Sequence, residues 1–153
     1  MRAYRLAKAR YADTALDGSG AKTFGGRWNS KGVAMIYASD TIALAALELL
    51  VHLHYSEILN QYLLFSLELP DDSVMSLEER ALPGDWRHDP PPSSTAAIGD
   101  DWAASGLSLA LTVPSVLVPQ QRNLLLNPTH PAYKTVITRV SGEPFEFDPR
   151  LQE

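Results

Sequence analysis

The sequence predicts a single compact α+β domain with mainly antiparallel, twisted sheets and a few helices, and three observations carry that prediction. Stretches of helical and of extended pattern do not alternate regularly, as they would around a parallel doubly wound sheet. The last third, SLALTVPSVLVPQQRNLLLNPTHPAYKTVITRVSGEPFEF, is a series of short apolar runs cut by proline, asparagine and glycine, so strands should dominate it. Residues 41–54, by contrast, lack glycine and proline and follow two good capping residues, Ser39 and Asp40, which marks a helix.

Taken in order, RAYRLA near the start alternates and predicts a first strand. The glycines of ALDGSGAKTFGGRWNSKG predict irregular backbone, and a strand is expected from Val33 to Ala38, then the helix. From Tyr62 to Pro70, YLLFSLELP reads as a strand with Leu63, Phe65, Leu67 and Leu69 on one face. The segment LPGDWRHDPPPSS is too rich in proline to pair as a central strand. Thr95 is expected to cap a short helix over AAIGDDWAAS that ends at Gly106, where a left-handed residue is readily accommodated.

The chain has 153 residues, enough to bury its own core, and neither repeats nor a linker divide it, so one domain over residues 1–153 is expected. A formal charge of −5 argues against gripping a polyanion with the whole surface, and direct nucleic-acid binding is not expected. Cysteine is absent, which excludes a disulfide framework, a thiolate metal site and a cysteine nucleophile together. The start, MRAYRLAKAR, has no apolar stretch of signal length, and the apolar run Ile42 to Leu53 is short and carries Glu48 and His52. No membrane association is expected, and a cytoplasmic protein is.

Two features point to chemistry. In the predicted helix Ile42, Leu44, Leu47, Leu49, Leu50, Val51 and Leu53 leave little room for a polar face, the pattern of a helix buried on several sides. Thr41, Ala45, Glu48 and His52 share one narrow stripe. An ionised carboxylate buried without partners costs several kcal/mol, so this stripe faces either solvent or a polar cleft. The second feature is GGRWN. Gly25 and Gly26 let backbone approach a ligand closely and Arg27 offers a fork of donors suited to phosphate, although the same letters also describe a plain hairpin turn. Tyr37, just before the helix, lies in the core or lines the same cleft.

The stretch GGRWNSKGVAMIYASDTIALAALELLVHL, followed by GDDW, VPS and NLLLNPTHP, resembles the RES domain, the toxin half of bacterial RES–Xre toxin–antitoxin pairs, over roughly residues 4–140. The family takes its name from an arginine, a glutamate and a serine, which by motif position are Arg27, Glu48 and Ser115. The resemblance implies a fold related to ADP-ribosyltransferase toxins and an enzyme that consumes NAD. Some members act as a glycohydrolase or phosphorylase, and others ADP-ribosylate a target protein. It also implies a cognate Xre-type helix-turn-helix antitoxin that covers the site. Leu124 departs from the family, where an aromatic residue is more usual, and bears on packing near Asn123.

The residue types suit that chemistry. The nicotinamide of NAD leaves its ribose as a neutral group and needs no general acid, so one carboxylate suffices where a glycosidase acting on an oxygen leaving group uses two. Glu48 would stabilise the positive charge that develops on the sugar, and Arg27 with Gly26 would hold the diphosphate. Tyr37 would stack against nicotinamide or ribose, and Ser115 would donate a hydrogen bond. Ser115 has no GxSxG elbow around it and is not assigned as a nucleophile. His52 either orients Glu48 or is a surface histidine. Asn123, with Asn127 and His130, fixes a turn or supports the site from behind. The four histidines form no HExxH motif, so neither a metal nor a retained cofactor is expected, NAD being the substrate. A mono-ADP-ribosyltransferase, or a non-catalytic module that binds a nucleotide or peptide in the arginine cleft, would use the same residues.

Overall fold

The computed structural model describes residues 1–53 and 59–152. In chain order the strands are β1 (Arg2–Lys8), β2 (Ile36–Ser39), β3 (Tyr62–Glu68), β4 (Val74–Ser76), β5 (Ala110–Pro114), β6 (Arg122–Leu126) and β7 (Glu143–Phe145). The α-helices are α1 (Ser19–Phe24), α2 (Ile42–His52), α3 (Ser93–Ser105) and α4 (Tyr133–Ile137). The strands form one seven-stranded sheet in the order β4-β5-β6-β2-β1-β3-β7. Its pairs are antiparallel except β4 with β5, so the α+β, mainly antiparallel reading holds, with a single sheet in place of several.

Both faces of the sheet are covered. On one face Ala3, Ile36, Ala38, Phe65, Leu67, Leu124 and Leu126 pack beneath Tyr133 of α4. On the other face two separate clusters form. Leu111, Val113 and Leu125 pack with Trp28 and with Trp102 of α3, while Leu6 and Tyr62 pack with Ala45 of α2 and with Phe147. Consecutive residues such as Leu124 and Leu125 thus enter different cores, which is why Leu124–Leu126 of β6 form a continuous apolar run. Leu124, where the family more often has an aromatic, is fully buried.

Several expectations need correction. The glycine-rich stretch contains α1, too short and too polar to show a helical period. The strand expected from Val33 to Ala38 runs from Ile36 to Ser39, because residues before it follow a turn in which Val33 N–H bonds to Ser30 O and Gly32 has φ 97°. The helix cap is Thr41, whose hydroxyl accepts from Leu44 N–H at 3.1 Å, a contact worth about 1 kcal/mol. Ser39 is drawn into the sheet, and Asp40 N–H bonds to Arg122 O. His54, the expected helix end, lies outside the described residues.

Thr95 is a buried residue inside α3, its hydroxyl donating back to Pro92 O, since the helix begins two residues before it. Gly106 does end α3, with φ 62°. In the last third, residues 133–137 form α4 where an apolar run favoured a strand. Finally, α2 is not buried on several sides: Ile42, Leu47 and Val51 are 37%, 42% and 55% exposed.

Candidate active site

The site grows out of one row of cross-strand partners. Val113 of β5 faces Asn123 of β6, Asn123 faces Ser39 of β2, and Ser39 faces Tyr4 of β1. The neighbouring row holds Leu111, Leu125 and Tyr37. Because side chains in a strand alternate, Tyr37, Ser39 and Asn123 share the face that lies between the α3 cluster and the α2 cluster. Helix α2 is seated on this face through Ala45, and Glu48, one turn later, reaches over the Asn123 row.

Glu48 is anchored by one oxygen. Its Oε1 accepts from Ser115 Oγ at 2.7 Å and from Asn123 Nδ2 at 2.6 Å, while Oε2 has no hydrogen-bond partner among the described residues. The wet stripe read from the sequence thus resolves into separate environments. Ala45 is core, Glu48 is half-buried against polar donors, and Thr41 and His52 are exposed. The His52 side chain makes no hydrogen bond to Glu48 or to any other described residue.

Ser115 follows β5 and is completely buried. Its Oγ accepts from the N–H groups of Leu117 and Val118, both at 3.1 Å, so its own proton is directed to Glu48. A hydroxyl held in this way is a fixed donor. Among the described residues no base is placed to take its proton other than the carboxylate it already serves.

Arg27 sits at the tip of a tight turn whose base is the paired backbones of Gly26 and Asn29. Gly25 ends α1 with φ 72°, a conformation suited to glycine. Gly26 is required for packing: a Cβ there would lie 2.6 Å from the Tyr37 hydroxyl. That hydroxyl donates to Asn29 Oδ1 at 2.7 Å and accepts from Trp28 N–H at 3.0 Å. Asn29, itself buried, donates to the carbonyls of Ala21, Ser30 and Val33. Tyr37 is therefore the post on which the arginine turn rests, and its burial raises the phenol pKa above the usual value. From the opposite side of β2, the buried guanidinium of Arg5 donates to Tyr37 O and Ala15 O, and burial lowers its pKa.

The half-buried Arg27 side chain reaches the proline-rich segment, where one terminal nitrogen donates to Trp86 O at 2.8 Å and to His88 O at 2.9 Å. Its remaining guanidinium donors have no partner among the described residues. Trp86 and Pro114 share the walls of a cleft of about 380 Å³ with Leu82, Pro83 and Pro119, and Pro114 adjoins Ser115. Tyr37 and Ser39, two residues apart on one strand face, separate the support of Arg27 from the support of Glu48 by about 7 Å. The turn that carries the cation and the helix that carries the carboxylate are accordingly built on the same face of the sheet. A larger hollow of about 510 Å³ lies elsewhere, between β4 and α3, and is lined by Met75, Leu77, Ile98 and Trp102.

Sequence reasoning missed Ser39 and Asn29. Both were masked by ordinary readings of their type, a helix cap and a turn residue. The signal available for Ser39 was a polar residue at an inward position of a strand, beside a tyrosine already singled out.

Among the described residues no group of histidine, aspartate or glutamate side chains is arranged to hold a metal ion, and no helix is long and apolar enough to cross a membrane. The chain matches the RES domain over residues 2–148. It is 45% identical over 152 residues to "Toxin Res" of Yersinia enterocolitica serotype O:8 / biotype 1B, covering 99% of this chain and 100% of that protein. It is 43% identical over 141 residues to the "Prs ADP-ribosylating toxin" of Sphingobium sp. strain YBL2, covering 89% and 86% of the two. Among solved structures, a chain of the M. tuberculosis MbcT-MbcA toxin-antitoxin complex superposes with a TM-score of 0.72 at 22% identity, over 99% of this chain and 86% of that one, and so has the same fold. With its arginine turn and its helix-borne glutamate on one sheet face, and with relatives of this identity over nearly its whole length, the chain belongs to the RES domain family of toxins.

Proposed function

We propose that the protein is the toxin of a toxin–antitoxin pair and that it breaks the bond between nicotinamide and ribose in NAD. The observation that carries this reading is the state of Glu48. One carboxylate oxygen is held by two donors and the other is left open, on the same face of the sheet as a guanidinium with unused donors. In the proposed reaction the C1′–N bond breaks and its electron pair goes to the nicotinamide nitrogen, which leaves as a neutral ring. Positive charge collects on the ribose, and Glu48 Oε2 stabilises it or orients the 2′-hydroxyl. Arg27 holds the diphosphate, Gly26 lets its turn sit close over Tyr37, and the Tyr37 ring offers a surface to nicotinamide or ribose. Water or phosphate then adds to C1′.

A second reading, transfer of ADP-ribose to a protein side chain, is favoured by the name of the Sphingobium relative, an ADP-ribosylating toxin. The two readings differ only in the acceptor. Purified protein incubated with NAD, with and without phosphate and with a cell lysate, separates them. Free nicotinamide with ADP-ribose or its phosphate supports the first, and labelled protein supports the second. Absence of turnover in all three mixtures rejects both and leaves a binding module.

The proposed partner is an Xre-type helix-turn-helix antitoxin, in keeping with the toxin–antitoxin complex in which the related fold is found. The exposed apolar side chains of Ile42, Leu47 and Val51 on α2 give such a partner a surface on the helix that carries Glu48.

A further inference from the structure

Glu48 has two donors, and they are held in different ways. Ser115 is fixed by backbone, since two N–H groups of its own turn fill its acceptor positions. Asn123 has no such local lock. Its side-chain amide is a symmetric shape with unlike ends: turned over, it would present its carbonyl oxygen to Glu48 Oε1 at the distance of a hydrogen bond, acceptor against acceptor. What fixes it is Ser39. The Ser39 hydroxyl, buried in the sheet directly opposite Asn123, donates to Asn123 Oδ1 at 2.7 Å. A proton given to the oxygen end leaves the nitrogen end facing the carboxylate at 2.6 Å.

We infer that Ser39 is a positioning residue for the reaction, acting through Asn123 to hold Glu48 Oε1 and so to aim Oε2 at the reacting sugar. The inference rests on the NAD-cleaving reading for its kinetic consequence, while the hydrogen-bond relay itself does not. A chain of hydrogen bonds in a poorly solvated setting polarises each of its members, so loss of the first donor is felt at the last acceptor. The effect belongs to the chemical step. Among the described residues the Ser39 side chain bonds to Asn123 and not to the arginine turn, so NAD affinity should be untouched.

The test is a double-mutant cycle on the full chain. Ser39→Ala should lower kcat for nicotinamide release about tenfold with KM unchanged, and Ser39→Thr, which keeps the hydroxyl, should restore most of it. In an Asn123→Ala background Ser39→Ala should cost nothing further, because the relay is already cut. The same tenfold loss in that background, or a loss that appears in KM, overturns the inference. A separate measurement needs no turnover. In wild-type protein the Asn123 side-chain amide protons should exchange slowly with solvent by NMR, and Ser39→Ala should accelerate their exchange while the urea midpoint changes little. Unchanged exchange shows that Ser39 does not hold the amide. Failure of the wild-type protein to cleave NAD together with faster exchange in the variant would reject the proposed reaction and leave the relay standing.

Discussion

The arginine turn and the glutamate helix are built on neighbouring positions of one strand, yet they are held by different physics. Around Arg27 the fixing contacts are steric and backbone-directed. Gly26 lies against the Tyr37 hydroxyl, Asn29 ties three carbonyls together, and Gly99 of α3 lies directly against the backbone of Trp28. Around Glu48 they are side-chain hydrogen bonds aimed at one oxygen. Close packing has no slack and transmits any added volume, whereas a polar network is sensitive to the loss of a single donor or charge. Substitutions at the turn should therefore appear first as lost stability, and substitutions at the helix as lost activity in a folded protein.

The largest expected effect tests the second half of that contrast. Glu48→Gln keeps the volume and an acceptor oxygen for Ser115 and Asn123 but removes the charge. Nicotinamide release should fall about a thousandfold, the scale on which preorganised electrostatic groups act. The urea midpoint should stay close to that of the wild type. Full activity in this variant would remove Glu48 from the mechanism, and an unfolded variant would mean that the network is structural in the way the turn is.

Next in size is Gly99→Ala, which tests the first half. A Cβ at this position would lie 1.7 Å from Trp28 O and 2.7 Å from its carbonyl carbon, so backbone must move. Forced overpacking of this kind costs about 3 kcal/mol. Because the atom displaced belongs to the residue after Arg27, KM for NAD should rise along with the loss of stability. Gly84→Ala is the matched control, since nothing lies within 4 Å of its Cβ position. Equal behaviour of the two variants, read by urea denaturation, would refute the packing account.

How much of this was legible beforehand follows the same division. The face of β3 carrying Phe65, Leu67 and Leu69, the end of α3 at Gly106 and the existence of α2 are all local patterns, and they stand out in a one-dimensional reading. Glu48 was visible because a single carboxylate in an apolar helix is conspicuous. Ser115 and Asn123, which hold it, were legible as a donor and a support, but the link that fixes Asn123 was not. Ser39 and Asn123 lie 84 positions apart, and their pairing exists only through the β2–β6 register. The reason for Gly26 was misplaced for a related cause. A glycine beside an arginine invites a ligand as its explanation, and the tyrosine hydroxyl that requires it comes from eleven residues on. Composition also misled for α2, because a nearly all-apolar helix reads as buried on several sides, while Leu47 and Val51 face outward.

That outward face supplies the smallest expected effect on the protein alone. In an ordinary core helix Leu→Gln costs several kcal/mol, since a buried amide loses its water and a cavity remains. Leu44, only 2% exposed, should behave so. Leu47 and Val51 keep much of their surface in water already, and glutamine is as good a helix former as most residues it would replace. Leu47→Gln and Val51→Gln should therefore each shift stability by no more than about 0.5 kcal/mol. Their apolar surface is then available for a partner, and the same substitutions should weaken binding of the proposed antitoxin by at least about tenfold, because each would leave an amide desolvated at the interface. Calorimetric titration beside urea denaturation reads both quantities. If affinity stays constant the antitoxin docks on another face, and if stability falls as far as in Leu44→Gln the exposure of this helix has been misjudged.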